Sequence, residues 1–277
     1  MEVVLGAIGS LLYGVADFLG GEGARRAPAA SIVLWSGLIS FPLIAAAALL
    51  LGGEAGGADY VYGALAGLSG TIGLVLLFAG LGAGRAAAVA PASAAVGAVL
   101  PVLVAVLDGE RPSLQAWIGV GIAVPAIVLS AWGDASGPGS RLGGLPYGVG
   151  AGIGFGGFTI LIRNTADTSN LLPLIATRAS TVLVVGTIAA IGLWRVTDFA
   201  RVPRSIVTAN AILDVSGNVA ILFAIRAGSL ALAAVSASFY PAVTVLIARI
   251  VNGEGLRVRQ ITGVVLTLFA LVVIATG

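Results

Sequence analysis

Apolar residues run almost unbroken for about twenty positions at a time, and ten such runs follow one another along the chain. They lie at about 3–21, 30–52, 60–82, 86–107, 113–132, 143–163, 170–194, 205–226, 229–251 and 258–276, separated by charge, Pro/Gly or Asp. About 20 apolar residues in a helix cross the hydrocarbon of a bilayer, so each run is predicted to be a transmembrane helix. A membrane barrel would show roughly ten-residue segments of alternating hydrophobicity, and these runs do not alternate. The first run lacks a basic leader and carries Asp17, so it reads as a permanent helix rather than a cleaved signal. Small residues at fixed spacing, such as Gly148, Gly152 and Gly156, predict close helix–helix contacts.

Composition agrees with a chain dissolved in lipid. Hydrophobic residues make up 58% and charged residues 9% of the 277, against about 25% charged in ordinary soluble domains. The predicted class is therefore an all-α integral membrane protein with the bilayer as its first partner. All 14 basic residues are arginine, and histidine and cysteine are absent. That removes imidazole catalysis, thiolate chemistry, disulfides and most transition-metal sites. No metal, cofactor or enzymatic activity is expected. A dispersed net charge of +2 does not suggest nucleic acid as a partner. There is no GxxxxGK[ST] loop for nucleotide binding.

The chain repeats itself. Gly109-Glu110 and Gly253-Glu254 stand 144 positions apart, and each glutamate is followed nine residues later by a glycine, Gly119 and Gly263. The tripeptide LFA recurs at 77–79 and 222–224, an offset of 145. These markers divide the chain into two five-helix halves, 1–135 and 140–277, joined by the polar stretch GDASGPGSR at 133–141. Five is odd, so the second half enters the membrane from the opposite side and the halves form inverted repeats. Many secondary transporters are built this way, with a central site that the two halves open to alternate faces. Ten of the arginines, Arg25, Arg26, Arg85, Arg141, Arg195, Arg201, Arg204, Arg249, Arg257 and Arg259, fall on the side of the loops after odd-numbered helices, against three on the other side. The excess of positive charge on the cytoplasmic side of membrane proteins then predicts termini outside the cytoplasm.

The paired GER and GEG turns, YPAVT at 240–244, LDVSGN at 213–218, and YGVADFLGG at 13–21 followed by Arg25-Arg26 resemble the EamA branch of the drug/metabolite transporter superfamily. The resemblance spans essentially the whole chain. One departure is that the first half has no YPxxT segment, Gly97 standing at the counterpart of Pro241. The resemblance implies a ten-helix inner-membrane carrier, often an exporter, of amino acids, other small metabolites or drugs. It also implies that the first four helices of each half line a cavity, and that both termini are cytoplasmic, which opposes the arginine count. The expected partner is a small-molecule substrate, and the expected state a monomer or weak homodimer. A multidrug or cation exporter, and a non-transporting lipid-handling or structural protein, stay open as alternatives.

Charges inside apolar runs mark the candidate site. A charged side chain at a helix centre costs about 2.5–3.5 kcal/mol on insertion scales, and such residues usually face a cavity or a partner. Asp214 with Asn218 one turn on, Asp17 in the first helix, and Arg178 in the seventh are the residues concerned. An Arg178 pair with Asp17 or Asp214 is open as a gate or as a static strut, and Asp17 is near enough to a helix end to snorkel. Ser236, Tyr240 and Thr244 share a helical face and predict a polar wall. Trp35 is a further candidate for the cavity, while Trp194 fits an interfacial anchor. Pro91, Pro101 and Pro241 are expected to break helices and free backbone carbonyls, as substrate contacts or as packing kinks. The Glu110 and Glu254 turns are expected to cap helix ends.

Overall fold

A computed structural model describes residues 1–107, 109, 111, 113–131, 144–193, 195–197, 199–227, 239–253 and 257–276. Ten α-helices account for most of them: α1 (Glu2–Ala24), α2 (Ala29–Leu51), α3 (Gly57–Gly82), α4 (Ala86–Leu107), α5 (Leu114–Ala131), α6 (Leu145–Ile162), α7 (Leu172–Ala190), α8 (Arg204–Ala227), α9 (Tyr240–Asn252) and α10 (Val258–Ala275). Single 3-10 turns at Asp167–Ser169 and Phe199–Arg201 precede α7 and α8. A helix bonds its backbone groups internally, which is what a lipid solvent demands. Eight of the helices are long and apolar enough to cross a membrane. The apolar stretches Leu114–Leu129 and Tyr240–Asn252 are shorter; the latter is the described part of the run expected at 229–251.

Connections on each face are tied together by polar groups. On the face that carries the amino terminus, Asp59 is buried at the start of α3. Its Oδ2 accepts from the Gly56 N–H at 2.7 Å, and its Oδ1 accepts from the Ala166 N–H at 2.7 Å. The Glu54 N–H also donates to the Thr168 carbonyl at 2.9 Å, which fastens the α2–α3 link to the α6–α7 link. On the opposite face the Trp35 indole donates to the Thr197 carbonyl at 2.8 Å, and Ser31 Oγ accepts from the Thr197 N–H at 2.8 Å. The two repeated glycines after α4 and α9 share a left-handed backbone, with φ of 85° at Gly109 and 65° at Gly253.

Close packing follows the small residues. Helix α6 is held between α3 and α4 by two glycine faces. Gly148, Gly152 and Gly156 lie against Ala92, Val96 and Leu100 of α4, while Gly154 and Gly157 lie against Gly73 and Ser69 of α3. Helix α1 meets α8 through Gly9 against Ile221, and α9 through Gly14 against Val243. The α5–α10 pair closes on Gly119, which faces Ile274 and the Ala270 carbonyl. Any side chain at these positions would push the helices apart.

The prolines depart from the expected breaks. Helix α4 runs unbroken through Pro91 and Pro101. Each removes a single backbone donor, and the neighbouring turns hold the helix. Pro241 lies in the first turn of α9, where a missing N–H leaves nothing unsatisfied. Ser236, Trp194, Glu110, Glu254 and the 133–141 stretch lie outside the described residues.

Candidate functional site

A cavity of about 350 Å³ lies between the halves, with walls from α1, α3, α6, α7, α8 and α9. Asp17, Arg178, Asp214, Asn218 and Tyr240, from four different helices, meet in it, together with Tyr13. Arg178 Nη2 and Asp214 Oδ2 form an ion pair, with the two side chains 13% and 22% exposed. Asn218 Nδ2 donates to the Asp214 main-chain carbonyl at 2.7 Å, one turn back on the same face. The Tyr240 hydroxyl lies near Ser93 of α4. Asp17 lines the same space; among the described residues its carboxylate has no hydrogen bond or ion pair.

The α3–α7 contact fixes where Arg178 points. Thr177 Oγ1 donates to the Gly63 carbonyl at 2.9 Å, and the Thr71 and Thr181 hydroxyls are bonded at 2.8 Å. Gly63 and Gly67 allow the approach, since a Cβ on either would sit within 2.5 Å of a carbonyl oxygen of α7. These threonines flank Arg178 by one and three residues and set the azimuth of α7. The Arg178 Nε is buried without a hydrogen-bond partner.

The cavity is unequal at its two ends. Toward the face of the amino terminus its walls include Leu174, Thr159 and Asn218, and α6 and α8 share no packed interface there. Toward the other face α1 packs on α3: Gly20 lies under the Phe78 ring, Gly21 against Leu81, and Gly82 against Ala24. Below the charged cluster, Ser36 Oγ donates to Asn210 Oδ1 at 2.6 Å and Asn210 Nδ2 donates to the Ala16 carbonyl at 2.7 Å. That buried link joins α1, α2 and α8 beneath the floor.

Two expected lining residues are elsewhere. Trp35 is outside the cavity wall; its ring packs on Phe199 with centroids 5.2 Å apart, and its N–H is engaged by the Thr197 carbonyl. Thr244 is fully buried and donates to the Gly14 carbonyl at 3.1 Å, a bolt between α9 and α1. Pro91, Pro101 and Pro241 do not border the cavity. Conversely, Phe155, Phe158 and Thr159 of α6 form a wall not expected from the sequence. Asn210 was legible: with Asp214 and Asn218 it repeats at every fourth residue along one face of α8.

Comparison with known proteins adds the family. No curated protein matches the chain. One solved crystal structure shares 16% identity with a TM-score of 0.63, covering 98% of this chain and 95% of the other; at that identity the likeness shows the fold alone. The EamA-like transporter family matches residues 1–132. Those residues, folded as the first five helices of a multi-span membrane protein, are the part of the chain that the EamA-like transporter family matches.

Proposed function

We propose that the chain is a secondary transporter, built as inverted repeats over 1–135 and 140–277, which moves small organic solutes such as metabolites or amino acids across the inner membrane by alternating access. Export is the favoured direction. The packing supports the repeat: advancing every helix by five exchanges α1–α8 with α6–α3, α1–α9 with α6–α4, α2–α8 with α7–α3, and α4–α5 with α9–α10. The pairs α2–α7, α4–α9 and α5–α10 map onto themselves.

Among the helix pairs of the described residues that depart from this exchange, one carries the mechanism. Helices α1 and α3 are packed, whereas their counterparts α6 and α8 are not. Two halves of similar construction in unlike arrangements are what one state of an alternating-access cycle requires. The other state follows by exchange, with α6 closing on α8 and α1 parting from α3. In the LFA repeat, Phe223 is the counterpart of Phe78; Phe78 is 3% exposed at the closed end and Phe223 is 40% exposed. Closure at the open end would bury Phe223 as Phe78 is buried now. With the arginine-rich loops cytoplasmic, the cavity opens outward. Asp17 and Asp214 are the carboxylates available for coupling to protons.

Flux of labelled amino acids, amines and sugars through proteoliposomes tests this reading. Saturable flux of at least one class, reduced by Asp214→Asn in protein of unchanged fold, is expected. Absence of flux across the panel in folded, correctly inserted protein would reject transport.

A further inference from the structure

We infer that the solute this cavity takes is a small organic monocation, with Asp17 holding its charged nitrogen and the aromatic walls enclosing its apolar body. The inference rests on the cavity being the substrate site. Among the described residues three charged side chains line it: Asp17, Arg178 and Asp214. Arg178 is engaged by Asp214, and the Asn218 amide bonds to the same residue. That group is neutral as a unit, with the Arg178 Nε left without a hydrogen-bond partner. Asp17 is left over, a carboxylate in the same space with neither a hydrogen bond nor an ion pair among the described residues.

A lone carboxylate deep in a membrane protein seeks a counter-charge. Nothing among the described residues supplies it, so it comes as a proton or as the positive charge of a ligand that displaces that proton. An anion would meet two carboxylates and one guanidinium whose charge is already balanced by Asp214, with only its Nε without a partner. A zwitterion would satisfy Asp17 but set its own carboxylate against Asp214. A hard metal ion needs about six or more oxygen ligands, and the described residues hold no cluster of three acidic groups.

The remaining wall describes the rest of the ligand. Tyr13, Tyr240, Phe155 and Phe158 present aromatic rings to the space. Ring faces attract cations and pack against flat apolar groups. Thr159 and Thr177 add hydroxyls to the wall, both bonded to backbone carbonyls. A volume of about 350 Å³ is at the small end of ligand pockets, which fits an aryl-alkyl amine rather than a large dye.

Three probes with one body and different charge separate the possibilities: 2-phenylethylamine, 2-phenylethanol and L-phenylalanine. Each is titrated onto purified full-length protein at neutral pH, following heat uptake and the rise in Tm. The amine is expected to bind saturably, with neither of the others doing so. Asp17→Asn is expected to weaken the amine at least about tenfold without lowering the unliganded Tm, and Asp17→Glu to retain it. Equal binding of the alcohol, preference for phenylalanine, no binding by any probe, or full amine binding by Asp17→Asn would each overturn the inference. Binding needs no turnover. Phenylalanine binding with flux would sink the cation and leave transport standing, and amine binding without any flux would do the reverse.

Discussion

Substituting Gly21→Ala should push the protein toward its other state. An ideal Cβ on Gly21 would lie 2.4 Å from Leu81 Cβ, where carbon atoms prefer about 3.5–4.0 Å. Leu81 Cβ is fixed to its backbone and cannot rotate aside, so α1 and α3 must separate by about 1 Å. Overpacking of this kind costs about 1–3 kcal/mol, while the gain of about 0.5–1 kcal/mol for replacing a helical glycine is common to both states and cancels between them. The penalty of about 1–3 kcal/mol falls only on the state in which α1 and α3 touch, a population shift of about 5- to 150-fold. The chain has no cysteine, so Thr159→Cys on the open wall is a clean reporter. Its labelling by a water-soluble maleimide should slow in the Gly21→Ala background as α6 closes on α8. Unchanged labelling together with a lowered Tm would mean that the methyl only destabilises one fixed structure, and the two-state reasoning would fail.

Other expectations follow from single contacts. Arg178→Gln and Asp214→Asn should each lower Tm, and the double variant should recover part of the loss, with coupling of about 1–3 kcal/mol; additive losses would show that the pair is not energetically linked. Cysteines at Thr168 and Arg195, both exposed, report topology: labelling by an impermeant reagent in intact cells is expected at Thr168 and not at Arg195, and the reverse would put the termini in the cytoplasm. Ser169 is unsuited to this because it is buried at 1% exposure. Trp35→Phe removes the bond to the Thr197 carbonyl and should lower stability by about 0.5–1.5 kcal/mol while leaving solute affinity intact; a loss of affinity at unchanged Tm would return Trp35 to the site.

The helices were legible because lipid imposes one rule on every span, and the runs at 30–52 and 86–107 match α2 and α4 within a residue at each end. Asp17, Arg178, Asp214, Asn218 and Tyr240 were legible because charge and hydroxyl groups stand out in apolar runs, and the structure brings them to one cavity. Pairing of Arg178 with an aspartate was foreseeable, but not which one. Orientation was harder to read. A helix apolar all round carries little amphipathic signal to say which face points inward, so Trp35 and Thr244 read as lining although their polar atoms are taken by backbone carbonyls. The aromatic wall of α6 was hidden for a related reason. Its glycines divide between α4 and α3, and only after both faces are assigned does the remaining one, Phe155, Phe158 and Thr159, point to the cavity.

Spin-label distances at the two ends of the cavity test the central claim most directly, because they need no known substrate. One pair at Asn164 and Phe223 spans the open end between α6 and α8, and another at Arg26 and Ala83 spans the closed end between α1 and α3; all four positions are exposed. Alternating access predicts two populations for each pair, with the Asn164–Phe223 distance shortening in the same conditions or variants, Gly21→Ala among them, that lengthen Arg26–Ala83. A single unchanging distance at both ends, or two ends that open and close together, would contradict it.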